Sequence, residues 1–401
     1  APVNLKFIGG ILLILGTCIG AGLLALPIAC AQQGFIVSVI SLIGIWLAMT
    51  ISAFLLLEVN LWLPENSNLI SMARFTLGKT GAAVMWIAYL ALLYALLSAY
   101  ISSSSDVAYG FFKMTGFKIS PTHGTLLVTL VLGSIVYRGI ASVDLFNRAL
   151  MSAKLIIYVL IIAAIAPFVK TTQLFAGQPK LLISTLMIIS TSFGFNIIIP
   201  SLRSYFNSDA KKLRLAILIG SIIPLVFYIL WIAVVQGALP THGPDSLMQM
   251  ATSRHVTSDL SHSLSHYLQN TWITTLAHAF TSICSITSFL GVSLALTDFL
   301  SDGLRWPKYG NHSLWLYAFA FLPPLTIVLI APGVFIETLS YAGIFCVTIS
   351  MLMPALMVWR GRYHKKKISE THRVWGGKIT LLLIIILAVV LMGGQISSYI
   401  F

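Results

Sequence analysis

Two short runs in this chain place glycines, hydroxyls and an amide where a helix would otherwise close its own backbone. Gly16-Thr17-Cys18-Ile19-Gly20-Ala21-Gly22 sets three glycines within two helical turns and is followed by Pro27. Ser190-Thr191-Ser192-Phe193-Gly194-Phe195-Asn196 is followed by Pro200. Glycine costs a helix about 1 kcal/mol per site relative to alanine, so both runs favour a break. The half-helix that begins after the first run presents the amides of Gly20, Ala21 and Gly22 at its positive end, an anion site that needs no charged side chain. The carbonyls near Thr17, and those from Ser190 to Phe193, suit a cation. Close helix crossings also use small residues, but Ser192 and Asn196 bring more polarity than packing requires.

Among ionisable residues, Lys154 stands apart in the run Met151-Ser152-Ala153-Lys154-Leu155-Ile156. A lysine there is either a proton carrier or a side chain reaching for the interface. Glu58, Asp106, Asp298 and Glu337 lie toward the ends of apolar stretches and read as solvated or capping groups, with Glu58 and Glu337 as secondary gating candidates. His262 and His266, with His242 and His255 nearby, mimic a metal cluster, yet two histidines four apart without a catalytic acid make a weak motif. No metal and no cofactor is expected. The apolar stretches hold no HExxH, no paired aspartates and no serine with histidine at one depth, which argues against an enzyme. They hold no repeated pore loop, which argues against a channel. Cys18, Cys30, Cys284 and Cys346 all fall inside apolar stretches and give no support to a disulfide framework.

The elements that must position these groups follow from composition. The 401 residues are 58% hydrophobic and 9% charged, with a mean hydropathy of +0.94, whereas soluble domains are about a quarter charged. The fold class is an all-α polytopic membrane protein. Stretches near the roughly 20 apolar residues of a crossing occur at 5–32, 35–60, 80–112, 123–138, 146–169, 180–205, 212–239, 270–300, 311–331, 333–359 and 376–400. The two glycine runs interrupt the first and the sixth. Five spans per half, each half opening with a broken helix, match the inverted-repeat plan of secondary transporters. The halves are 1–169 and 180–359, and 376–401 is an extra helix 11. An odd number of spans makes the halves point in opposite directions, so the breaks meet near the midplane.

The net charge of +13 is strongly sided. With the N-terminus cytoplasmic, 19 of the 24 lysines and arginines lie on or toward the inside. The positive-inside rule then sets N-in and C-out. The basic run Arg360 to Lys367 reads as a juxtamembrane anchor on the lipid bilayer rather than a nucleic-acid site.

Gly16-Thr17-Cys18-Ile19-Gly20-Ala21-Gly22-Leu23-Leu24-Ala25-Leu26-Pro27 resembles the first-helix signature of the bacterial hydroxy and aromatic amino acid permeases. Leu55 to Val59, Tyr94 to Ser102, Thr191 to Phe195 with Pro200-Ser201, and Thr287 to Val292 agree with it, and the span 6 segment is most similar to the tyrosine-specific permeases. One departure is Asn196, where the family motif carries histidine; it leaves the substrate and any pH role of that position open. The resemblance implies a leucine-transporter-like 5+5 inverted repeat with broken helices 1 and 6. It implies transport of an aromatic amino acid, L-tyrosine first, by alternating access in the cell inner membrane. The alternatives are a tryptophan or serine/threonine permease, or an amino-acid sensor that does not transport.

For such a substrate the carboxylate meets Gly20, Ala21 and Gly22, and the ammonium meets carbonyls near Thr17, Ser190 and Ser192. Phe193, Phe195, Tyr94, Phe289 and Tyr341 are candidate walls, with Phe195 matching the aromatic that closes the site in this fold. Ser98, Asn196 and Ser102 are candidate partners for a phenol hydroxyl. In this fold span 5 packs on spans 1 and 8 where sodium-coupled relatives bind an ion, so the Lys154 ammonium would replace sodium and make the proton the coupling ion. Thr287 and Ser288 resemble the hydroxyl pair that binds sodium and keep that ion as the rival.

Overall fold

The computed structural model describes residues 5–138, 140–310, 313–367 and 371–400, with the backbone alone described for residues 5 and 140–148. All regular structure among the described residues is helical. The first apolar stretch is two helices, α1 (Leu5–Cys18) and α2 (Ala21–Ala31), bent by 53° at a short break. Next come α3 (Phe35–Leu61), α4 (Leu69–Met114), α5 (Pro121–Tyr137), α6 (Ile140–Ile165) and the short α7 (Thr171–Leu174). The sixth stretch is α8 (Ile183–Ser192), a 3-10 turn (Gly194–Ile198) and α9 (Ile199–Tyr205). Then follow α10 (Ala210–Ala238), α11 (Leu247–Ala251), α12 (Val256–Leu268), α13 (Thr271–Leu304) and α14 (Ser313–Ile330). The tenth stretch is α15 (Phe335–Val347), a π turn (Thr348–Leu352) and α16 (Met353–Tyr363), and α17 (Gly377–Ile400) is last.

Among the described residues, nine helical stretches are long and apolar enough to cross a membrane, or ten with the bent α1–α2 pair taken as one. The apolar α5, at 17 residues, is shorter than a usual crossing. Helices suit this composition because each satisfies its backbone within one segment, which hydrocarbon demands. Their starts are signalled locally. Asn68 and Ser71 form a capping box at α4, Asp209 accepts from the Lys211 and Lys212 amides at 3.1 Å, and Asn270 accepts from the Trp272 amide at 2.9 Å. Within α4, Gly78 sits at φ 80°, a left-handed conformation that favours glycine, and sets Leu69–Leu77 off from the long span.

Two features of the packing bear on the site. Every residue of α2 is buried, enclosed by α8, α10, α11 and α13. By contrast, Gly16 and Thr17 on α1 are exposed. The end of α3 is gripped by two arginines. Arg362 makes a two-pronged pair with Glu58, Nε to Oε1 at 2.7 Å and Nη2 to Oε2 at 2.5 Å. The Val374 amide also donates to Glu58 at 3.0 Å. Arg203 donates to the carbonyls of Asn60, in the last turn of α3, and, at 2.8 Å, of Leu63 just beyond it. The sequence reading of Glu58 as a solvated or capping group, and of Arg362 as part of a lipid anchor, is therefore corrected: both side chains are buried and paired. A planar guanidinium matches a carboxylate in two bonds, which favours such a buried partnership.

Candidate functional site

The first break is stitched to two distant helices. Gly20 is extended at φ −152° and ψ −154°, and the next amide, that of Ala21, donates to Ser288 Oγ at 2.7 Å. A Cβ on Gly20 would collide with that same hydroxyl, so glycine is needed here for close approach. One residue earlier, the Ile19 carbonyl accepts from Lys154 Nζ, which also donates to Thr287 Oγ1 at 3.1 Å. Lys154 is only 1% exposed. Its ammonium head thus joins the span 1 break, α6 and α13, and no acidic side chain takes part in these bonds.

The second break meets the first through a phenol. Tyr228 of α10 is fully buried, and its hydroxyl lies 2.7 Å from the Cys18 carbonyl and 2.6 Å from the Ser192 carbonyl. One proton is shared between two acceptors, one at the end of α1 and one at the end of α8. Phe193 sets its ring edge-on to Tyr228, 5.0 Å between centroids. Nearby, Cys346 of α15 lies against Gly194 and donates its thiol to the Ser190 carbonyl at 3.5 Å. Ser190 and Ser192 spend their own hydroxyl protons on Leu186 and Ile188 carbonyls one turn back, so it is their backbone that faces other elements.

Asn196 is turned the other way. Its Nδ2 donates to the carbonyls of Met49 at 3.3 Å and Ser350 at 3.0 Å. Two carbonyl acceptors require the NH2 end to face them, which settles the amide orientation. The other end, Oδ1, is buried without a hydrogen-bond partner among the described residues. Ser350 lies in the π turn, a departure from the α ladder that recurs at functional sites.

The structure brings together Gly20, Ala21, Gly22, Ser190, Ser192, Phe193, Phe195, Lys154, Thr287 and Ser288 at or beside the breaks, with Asn196 bonded behind them. Thr17 back-bonds to the Leu13 and Ile14 carbonyls at 2.9 Å and stays exposed. Three aromatics lie elsewhere. Tyr94 donates to the Phe319 carbonyl of α14 at 2.6 Å. Phe289 stacks on Phe321 in a separate apolar cluster of α4, α5, α13 and α14. Tyr341 is 42% exposed and stacks on Tyr399 of α17 at 4.5 Å. Ser98 returns its proton to the Tyr94 carbonyl in its own helix, and Ser102 is buried on α4. Sequence reasoning missed Tyr228 and Cys346 and passed over Tyr100, which packs against the apolar core that holds both. Six helical residues turn about 600°, so Tyr94 and Tyr100 cannot share a face. Tyr228 lies in an apolar span with no neighbouring signal at all.

Away from the breaks, Asp106, about two turns before the end of α4, caps α12 from outside. It accepts from the Ser258 amide at 2.7 Å, the Ser258 hydroxyl at 2.8 Å and His255 Nδ1 at 2.9 Å. The hydrogen bond to Asp106 holds His255 above the usual histidine range, and burial pushes Asp259 up. His262 and His266 stack on one another at 6.3 Å. No group of three or more metal-ligating side chains is found among the described residues.

A family model described as the tryptophan/tyrosine permease family matches residues 4–395. The chain belongs to this family. It is 33% identical over 395 residues to the tyrosine-specific transport system 1 of Haemophilus influenzae, covering 96% of this chain and 95% of that protein. It is 30% identical to the tryptophan-specific transport protein of the same organism, over 98% and 96% of the two chains. Glutamine transporter 2 of Aliivibrio fischeri is also 30% identical, over 98% of this chain and all of that one. This permease is accordingly a multi-pass membrane transport protein rather than an enzyme, and its long apolar helices are membrane spans.

Proposed function

We propose that this permease carries an aromatic amino acid, L-tyrosine first, across the cell inner membrane by alternating access and proton symport. The observation that carries the proposal is the position of Lys154, whose head group joins the Ile19 carbonyl at the break to Thr287 of α13. In the leucine-transporter arrangement, to which the sequence is similar, that place belongs to a coupling cation. Here a covalently tethered cation fills it. Thr287 and Ser288, the rival sodium ligands, are both engaged, one by Lys154 and the other by the Ala21 amide. Lys154 then exchanges a proton with each cycle, an intramembrane ionisable group acting as the coupling residue.

On this reading, residues 1–169 and 180–359 form the 5+5 inverted repeat, with 376–401 as an added helix, N-terminus inside and C-terminus outside. The substrate carboxylate is received by the amides of Gly20 and Gly22, since that of Ala21 is already bonded. Its ammonium is received by the carbonyls of Cys18 and Ser192, which offer more acceptor capacity than the single Tyr228 proton uses. Phe193 and Phe195 supply apolar wall, and Tyr100 and Cys346 line the same region.

Tryptophan is the second reading, supported by the 30% identical tryptophan-specific relative. Uptake of radiolabelled L-tyrosine into proteoliposomes, with an inward proton gradient or an inward sodium gradient imposed separately and with unlabelled tryptophan as competitor, decides among these. Acceleration by the proton gradient alone supports the proposal. Acceleration by sodium alone, or binding without flux, overturns it.

A further inference from the structure

Along one face of α13, Thr281, Ser285 and Ser288 recur at i, i+4 and i+7, a rise of about 10 Å. Each hydroxyl meets a different element: Ser261 of α12 at 3.2 Å, Ser103 of α4 at 2.6 Å, and the Ala21 amide at 2.7 Å. Ser103 also meets Thr257 of α12 at 3.0 Å. Ser103, Thr257 and Ser285 are each no more than 1% exposed. A hydroxyl that serves only packing commonly returns its proton to its own helix, as Ser98 and Ser105 of α4 do. Ser103 instead bonds to both Thr257 and Ser285. Ser104, next along α4, has a buried hydroxyl without a partner among the described residues, and one water would satisfy it.

The two ends of this chain of hydroxyls are chemically distinct. At the upper end, Ser258 follows Thr257 and is bonded to Asp106, which also holds His255, a side chain about a third exposed. Asp259, Lys113 and the stacked ring of Tyr109 are the other groups facing that histidine. At the lower end, Thr287 flanks the stripe and accepts from Lys154 at 3.1 Å.

We propose that Thr257, Ser103 and Ser285 form the route by which a proton from the α12 face reaches Lys154. This rests on the proton-coupled reading above. A hydroxyl both donates and accepts, so each member passes on one proton as it takes another and ends unchanged. The Asp106–His255 pair takes the proton from water, and the neutral amine of Lys154 receives it as the ammonium. Bridging water carries the proton from the Asp106–His255 pair to Thr257 at one end, and at the other from Ser285 to Thr287, the hydroxyl bonded to Lys154.

The test uses the full chain in proteoliposomes with L-tyrosine as probe and two assays: uptake driven by an inward proton gradient, and tyrosine exchange at equal pH, which moves no net proton. Ser103→Ala and Ser285→Ala are expected to lose driven uptake by at least about tenfold while still exchanging, and Ser103→Thr to regain drive. Ser261→Ala, which removes a hydroxyl from α12 beside the route, is expected to be driven as wild type is. Undiminished drive in Ser103→Ala and Ser285→Ala overturns the route, and so does loss of exchange in step with drive, which marks a structural role. A wild type that exchanges tyrosine but ignores the proton gradient overturns the coupling reading itself, a result separable from either.

Discussion

Lys154 and Thr287 are 133 residues apart in the chain, yet the lysine Nζ lies 3.1 Å from the threonine hydroxyl and bonds in the same stroke to the Ile19 carbonyl at the break. The first helix break is thereby tied to two long spans through one buried head group. Replacing Lys154 by methionine keeps the aliphatic stem and removes the head. Gradient-driven uptake should fall by at least about tenfold, as expected for an intramembrane ionisable group with a functional role. Proteoliposome flux with and without a proton gradient measures it.

Gly20 has no room for a side chain, because Ser288 occupies the space. Gly20→Ala should weaken substrate binding and uptake by displacing α2 from α13. The paired change Gly20→Ala with Ser288→Gly should recover part of the loss, and binding titrations on the two variants compare them.

Glu58 and Arg362 form a buried pair that joins α3 to α16 and to the segment before α17. Either Glu58→Gln or Arg362→Met leaves one charge buried alone, at a cost of about 3–5 kcal/mol. The double variant should be more stable than either single one. Thermal unfolding in detergent reads the difference, and equal melting of all three variants would show the pair to be idle.

Asn196 spends its amide protons on Met49 and Ser350. Asn196→Ala removes both bonds and should destabilise by about 1–3 kcal/mol. Asn196→Asp, which puts an acceptor against two carbonyls, should be worse. The same melting assay ranks them.

His255 is held above the ordinary histidine value by Asp106. A raised pKa adds stability that is complete below about pH 6.5 and fades as pH climbs through the folded value. Asp259, pushed up by burial, works in the same direction, because its ionisation at higher pH is opposed in the folded state. The α12 region should therefore resist proteolysis better in mild acid than at alkaline pH. His255→Gln should flatten that dependence.

From the residues alone came the membrane class, most of the spans to within a few residues, both breaks, and the singling out of Lys154 as an ionisable residue within a span. These are local properties. A run of apolar residues, a cluster of glycines and a lone lysine in hydrocarbon each carry their meaning within a dozen residues. Which residues face one another was decided only by the tertiary structure, because that depends on the rotation of each helix about its axis and on contacts between residues far apart in the chain. Tyr94 and Tyr100 are indistinguishable by hydropathy, yet one bonds to α14 and the other packs against the core that holds Tyr228. Arg362 looked like its basic neighbours until α3 brought Glu58 to it, and no local pattern showed that Met49 and Ser350 would take the amide protons of Asn196. Polar groups in a span must find partners inside the protein, and only packing decides which ones they find.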